Sequence, residues 1–346
     1  MHFGMFMEFG FRNGGSDAAA FREGLDLVDA AEAWGMDSAW LSEFHFSPQR
    51  SVLSSPIVVA SALAARTKRM RIGMAVYVLP LNNPLRIAEE AATVDHISGG
   101  RFDFGIGRSG FVRSYNTYNI DYAESQERFD EALKILRAAW SGEKFSFDGK
   151  HYKVTDALVV PQPVQRPHPP MRMAASSAAT FKIVAQEGLP LSVGLRGDGL
   201  EALTRNINVY RKTWRECGHE GESSVYLRVP VYGADTEAAA ISEPKDNITY
   251  YFDRQAKMVA VGSPKGGNAE RSKTAATLSS LSYDDILRDR VAFGTGPQLI
   301  ERLQEWRDVL GIDGITAEMN AGGMLTEAQV KNSLRVITRD VMPAFK

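Results

Sequence analysis

Two groups of residues in this sequence have the types and spacing to do chemistry. Ser176, Ser177 and Thr180 fall where a short apolar run, Met171 to Ala175, gives way to a helical stretch, Ala178 to Glu187. Hydroxyls and unpaired backbone N–H groups at such a turn make an anion site, reinforced by the helix dipole; the plainer role is an N-cap. Arg108 ends the neighbouring strand, and a guanidinium on the same rim as that turn suits a phosphate dianion. The second group centres on His45, at the end of the strand Ser38 to Glu43, where an imidazole can give or take a proton near neutral pH. Glu43 is two residues away on the same side of an extended chain, roughly 6–7 Å along the backbone, so the two need not touch. A structural rim histidine is the alternative.

Other chemistries find no support. Gly105, Gly107 and Gly110 spell G-x-G-x-x-G after a strand, but the following FVRSYNTYN is not expected to open a helix, and no isolated acid ends a second strand about 20 residues on. His2, His151, His168 and His219 lack metal spacing, and His96 is expected to pack against strands, so no metal is expected. There is no G-x-S-x-G. The single cysteine, Cys217, permits neither a disulfide framework nor a thiolate zinc site. A net charge of −2 with interspersed signs argues against nucleic acid. The chain opens directly into a strand pattern with no secretory signal, and no apolar run reaches the roughly 18 residues of a membrane span, so a cytoplasmic address is expected.

The elements that must position these groups alternate in period. Strand-like runs at His2 to Phe9, Ser38 to Glu43, Met70 to Leu79, Arg101 to Ile106, Met171 to Ala175, Leu189 to Leu195, Ser224 to Tyr232 and Ile312 to Met319 are interleaved with helical stretches. The helices are expected at Asp17 to Trp34, Pro56 to Arg66, Pro84 to Ile97, Ala123 to Trp140, Ala178 to Glu187, Gly199 to Cys217, Pro297 to Leu310 and Glu327 to Val341. Eight βα units without a composition break, in a chain of 346 residues that is 44% hydrophobic, predict one α/β (β/α)8 barrel over residues 1–346. Two stretches interrupt the rhythm. One is a hairpin turning at Asp148–Gly149, followed by a proline-rich cover. The other, polar and rich in small residues at 262–282, is expected to be a lid on the catalytic face or else a passive loop.

Read with its left flank, the glycine segment is Asp95-His-Ile-Ser-Gly-Gly-Arg-Phe-Asp-Phe-Gly-Ile-Gly-Arg108, which resembles the helix 3–strand 4 motif of the bacterial luciferase-like flavin-dependent monooxygenases. MHFGMF, Trp40-Leu-Ser-Glu-Phe-His-Phe46, Gly73-Met-Ala-Val-Tyr-Val-Leu-Pro80 with Asn83-Pro84 and Arg86, Ala174-Ala-Ser-Ser-Ala-Ala-Thr180 and Phe293-Gly-Thr-Gly-Pro297 resemble further family motifs in the same order.

The resemblance implies an enzyme that uses reduced FMN as cosubstrate and activates O2 through a flavin C4a-peroxide on a small organic substrate. It implies Arg108, Ser176, Ser177 and Thr180 at the FMN phosphate, and Ala75–Val76 as the non-proline cis peptide beneath the isoalloxazine. Three positions depart from the family: a second arginine is Gln126, with Arg128 nearby; a glutamate before the serines is Ala175; and the first histidine of E-H-H, the catalytic one, is Phe44, so that His45 matches the second. Phe44, Phe111 and Tyr115, with Phe11, Phe46 and Tyr118, would line an aromatic substrate pocket. No nicotinamide site is evident, which points to a separate NAD(P)H:flavin reductase. Helices two and three are rich in Ala and Ser and would form a homodimer interface. Relatives on the same barrel use deazaflavin F420 for hydride transfer, and others are catalytically silent flavin-binding proteins that lose much of the barrel; these are the alternatives.

Overall fold

A computed structural model describes residues 1–10, 15–195, 199–261 and 269–346. Eight parallel strands close into a barrel: β1 (His2–Met7), β2 (Ser38–Leu41), β3 (Arg71–Met74), β4 (Phe102–Gly107), β5 (Met171–Ala174), β6 (Leu191–Gly194), β7 (Val225–Gly233) and β8 (Gly314–Glu318). Each strand pairs with its successor in the sequence, and the ring closes where His2 of β1 lies opposite Gly314 of β8. Every residue of β2, β4 and β8 is buried, because side chains fill the barrel on one face and helices cover the other. The fill is visible at the floor. Trp40 leans over Gly73, where a Cβ would come within 2.3 Å of its ring, and the Arg172 guanidinium sits 4.2 Å from the Trp40 ring and 3.4 Å from that of Tyr226.

The helices between strands are α1 (Asp17–Trp34), α2 (Pro56–Arg66), α3 (Pro84–Ser98), α4 (Ser125–Ala139), α5 (Ala178–Gln186), α6 (Gly199–Glu216), α7 (Gly296–Leu310) and, last, α8 (Glu327–Val336). Their ends follow local chemistry. In α3, Asn83 caps the N–H groups of Leu85 and Arg86, Pro84 supplies a preset φ at the first turn, and Gly99 ends the helix in the left-handed region at φ 63°.

Three expectations change. Helices Glu237–Ser242, Lys245–Val261, Ala269–Ser279 and Tyr283–Asp289 fill the connection between β7 and α7, with a separate apolar cluster of Ile248, Tyr251, Phe252, Ala256, Leu278, Ile286 and Val291. Of the expected lid, 262–268 lies outside the described residues, whereas 269–279 is a helix against Lys245–Val261 rather than a loop. A short helix, Val112–Thr117, does follow the G-x-G-x-x-G segment. The hairpin Phe145–Asp148/Lys153–Ala157 turns through four residues, not two, because the Glu131 carboxylate accepts the N–H groups of Lys150, His151 and Tyr152 at 2.8–3.1 Å.

Candidate active site

The candidate residues gather at the C-terminal ends of the strands, the end at which barrel enzymes build their sites. At β2, the chain leaves extended geometry after Leu41, and Phe46 has a φ of 55°. This lets Glu43 and His45 converge: Oε1 and Nε2 are 2.7 Å apart, in contact, contrary to the backbone spacing. The other Glu43 oxygen accepts the Val78 N–H at 2.9 Å, and His45 Nδ1 faces the Tyr118 hydroxyl at 3.2 Å. Burial pushes the Glu43 carboxyl above its ordinary range, opposed by His45 and the Val78 N–H. The 2.7 Å contact between the Glu43 oxygen and His45 Nε2 is a hydrogen bond that fixes the orientation of the imidazole. A cavity of about 290 Å³ opens beside it, lined by Ser54, Ser55, Ile57, Tyr77 and Asn82 in addition to these groups.

Next to β2, the Ala75–Val76 peptide bond is cis, and the Ala75 N–H donates to the Leu41 carbonyl at 2.7 Å. The segment crosses β4 closely. A Cβ on Gly105 would lie 1.8 Å from the Met74 carbonyl oxygen, and one on Gly107 would lie 2.6 Å from Val76 Cγ2. Two of the three fingerprint glycines are therefore there to let β3's continuation pass.

At β4 and β5, Ile106 is in register with Met173, which brings Arg108 level with Ala175 and the Ser176–Ser177 turn. Arg108 Nη1 donates to Ser125 Oγ at 3.0 Å, and the guanidinium stands 5.7 Å from the Tyr122 ring. Ser177 makes no side-chain cap to the α5 backbone; its hydroxyl instead meets that of Thr180 at 2.8 Å. A guanidinium, two hydroxyls and the start of a nine-residue helix form a donor set that fits a phosphate. The candidates to replace the second arginine do not join it: Gln126 bonds Asp130 within α4, and Arg128 pairs at 2.9 Å with Glu124, the residue just before α4.

Of the expected pocket aromatics, the Phe44 and Phe111 rings pack with centroids 5.4 Å apart and planes tilted by 51°, with the Arg50 guanidinium 3.9 Å from the Phe44 ring. Tyr115 is instead fully buried and donates its hydroxyl to the Arg108 carbonyl, so it braces the Arg108 turn. Phe11 lies outside the described residues. His96 is exposed rather than packed on strands, bonding the Gln162 carbonyl at 2.9 Å.

Sequence reasoning missed a buried ionic group at the mouth. Glu8, just past β1, receives Arg50 Nε at 3.1 Å and Arg228 Nη2 at 3.3 Å; Arg228 also pairs with Glu318 of β8 at 2.7 Å, and Arg254 reaches Glu8 at 4.0 Å. Burial alone would raise the Glu8 carboxyl, but Arg50 and Arg228 outweigh it and hold it below its ordinary value. Glu8 and Glu318, acids at strand C-termini, were the available signal.

The motif residues Asp95, Arg101 and Asp103 serve the scaffold. Asp95 accepts the N–H and side-chain amide of Gln165, Arg101 caps the carbonyls of Ala64, Thr67 and Met70, and Asp103 pairs with Arg71. Among the described residues no helix is long and apolar enough to cross a membrane.

A family model described as luciferase-like monooxygenase matches residues 1–313. The chain is 25% identical over 332 residues to the alkanal monooxygenase alpha chain of the Kryptophanaron alfredi symbiont, covering 93% of this chain and 92% of that one. It is 25% identical over 339 residues to the oxygenase component of the flavin-dependent trigonelline monooxygenase of Acinetobacter baylyi, covering 94% and 90%. In fold it is similar to the oxygenating constituent of 3,6-diketocamphane monooxygenase of Pseudomonas putida, a type II Baeyer-Villiger monooxygenase solved in complex with FMN, with a TM-score of 0.84, 20% identity and 99% and 98% coverage. Matched along nearly its whole length and closed into the same barrel, the chain belongs to the luciferase-like monooxygenase family.

Proposed function

We propose that the chain is the oxygenase of a two-component system, accepting reduced FMN from a separate NAD(P)H:flavin reductase and using O2 to oxygenate a small organic substrate. The observation that carries this reading is the Arg108–Ser177–Thr180 rim, a phosphate-type donor set one strand from the Ala75–Val76 segment and two from the Glu43–His45 pair. The relatives named as flavin-dependent, and as an oxygenase component, support it.

Reduced flavin, when bound, supplies the electrons that activate O2. The chain's own residues do the rest. Arg108, Ser176, Ser177 and Thr180 hold the phosphate, and Ala75 and Val76 support the ring system. Glu43 holds His45 Nε2, leaving Nδ1 and the Tyr118 hydroxyl to deliver or accept a proton at the mouth. Phe44 and Phe111 exclude water from the reacting atoms. The barrel and its helical insertion act as one catalytic unit, paired with a second copy through α2 and α3.

The test is a titration of the protein with reduced FMN and with reduced F420, each followed by mixing with oxygenated buffer in a stopped-flow spectrometer. Tight binding of reduced FMN and an O2-dependent flavin transient support the reading. Preferential F420 binding, with hydride transfer and no reaction with O2, replaces it with the hydride-transfer alternative.

A further inference from the structure

Across the mouth from His45 lies a second cavity, between the C-terminal ends of β6, β7 and β8 and the helices Lys245–Val261 and Ala269–Ser279. Its volume is about 40 Å³, and its lining includes Gly194, Leu195, Arg228, Tyr251, Gln255 and Glu318. In an eight-strand ring, β6 and β7 stand opposite β2 and β3, so this cavity faces the Glu43–His45 and Ala75–Val76 side.

Its polar groups are arranged as for an absent acceptor. Gln255 is 6% exposed, yet its Nε2 has no hydrogen-bond partner among the described residues. A buried amide donor left unpaired carries a desolvation cost that an acceptor in the cavity would remove. Arg228 spends Nε and Nη2 on Glu318 and Glu8, while Nη1 donates no hydrogen bond among the described residues. The group behind it is also unbalanced in charge: the guanidiniums of Arg50, Arg228 and Arg254 meet the carboxylates of Glu8 and Glu318, three against two. A neutral carbonyl would satisfy the amide but leave the excess positive charge. A carboxylate answers both.

We propose that this cavity is the subsite for a carboxylate carried by the substrate, with Gln255 Nε2 and the Arg228 guanidinium as its donors and Gln255 as a specificity-determining residue. The inference rests on the monooxygenase reading only in calling the ligand a substrate. The cavity has room for the charged head group alone. The remainder of the molecule extends into the mouth toward Phe44 and Phe111, which the Glu8–Arg50 pair ties to Arg228.

Isothermal titration calorimetry of the flavin-free protein with benzoate, and with its neutral counterpart benzamide, tests this directly. Benzoate is expected to bind at least about tenfold more tightly than benzamide, the range of one charge-assisted contact. Gln255→Leu should lower benzoate affinity by about tenfold, and Gln255→Glu, close in shape but anionic, should lower it further. Gln255→Asn, which keeps the amide on a shorter arm, supplies an intermediate variant should the leucine variant fail to fold. Absence of benzoate binding, equal binding of the two probes, or unchanged affinity in the folded variants overturns the assignment. Neither flavin nor O2 enters the measurement, so its failure leaves the monooxygenase reading standing, and failure of the FMN titration leaves this result intact.

Discussion

At the scale of single residues, Arg108 and Glu43 make separable demands. If Arg108 contacts a phosphate, Arg108→Ala weakens FMN binding by about 1.5–3 kcal/mol while barely altering affinity for riboflavin, which lacks that group. Fluorescence titration of both ligands decides it, and equal losses would remove the residue from the phosphate site. Glu43 is read through pH. Its folded-state value is raised above the ordinary 4.5, so the folded protein binds more protons than the unfolded chain in the window from 4.5 upward. That contribution is complete below the unfolded value and is lost as pH climbs through the folded one. Glu43→Gln cannot titrate there, so wild type should melt progressively lower relative to the variant as pH rises above 4.5, until the folded-state carboxyl has ionised. A constant difference in Tm would mean that burial is not shifting this carboxyl. His45, Arg108 and the serine turn were legible in the sequence because their types and positions relative to strand ends are local facts. The Glu43–His45 contact was not, because it depends on the chain bending after Leu41, and neither was Tyr115's inward hydroxyl, which depends on the helix at Val112–Thr117.

At the scale of elements, β4 is constrained by what crosses it. Gly105 faces a backbone carbonyl, which cannot move without shifting β3, whereas Gly107 faces the end of a valine side chain. Gly105→Ala should therefore cost about 3 kcal/mol or more of stability, and Gly107→Ala less, since a side chain can rotate away. Urea midpoints for the two variants provide the comparison; equal losses would show that the close approach of Met74 is not what fixes the glycine. The same contrast between local and distant causes explains which elements could be read. The barrel strands and α1, α2 and α3 declare themselves by period, by the caps Ser16 and Asn83, and by Pro56 at the first position of α2. The helix Lys245–Val261 does not. Its buried positions include Asn247, Ile248, Tyr251, Phe252, Gln255 and Ala256, a helical stripe interrupted by two polar residues. Asn247 receives the Met324 N–H and Gln255 lines the cavity beyond β6 and β7, and a purely apolar period cannot register either.

At the scale of the whole molecule, α2 is the surface that most needs an explanation. Its sequence, PIVVASALAAR, carries no charge before Arg66; Ala60, Leu63 and Ala64 are buried on one face, and the helix packs against α3 and β3. The opposite face presents Val58, 65% exposed, with Ala62 and Ala65 also open to solvent one and two turns on. A helix apolar on both faces is ordinarily covered on both. A two-fold axis beside α2 would cover it with its own copy, small residues allowing the backbones to approach, in an interface of the usual ~800 Å² per partner. The N-terminal end of this helix, Ser55 to Ile57, also lines the cavity beside Glu43 and His45, so association would buttress the catalytic side of the mouth. Val58→Asp sets two carboxylates near the axis in an isologous interface, where each substitution is met by itself. Sedimentation velocity at micromolar concentration should find a dimer for wild type and a monomer for the variant. The variant's secondary structure should be unchanged, because Val58 contributes little to the barrel core, whereas its affinity for reduced FMN should fall as the α2 end of the cavity loosens. A wild-type monomer at these concentrations would refute the dimer, and a Val58→Asp variant that stays dimeric would move the interface to another face.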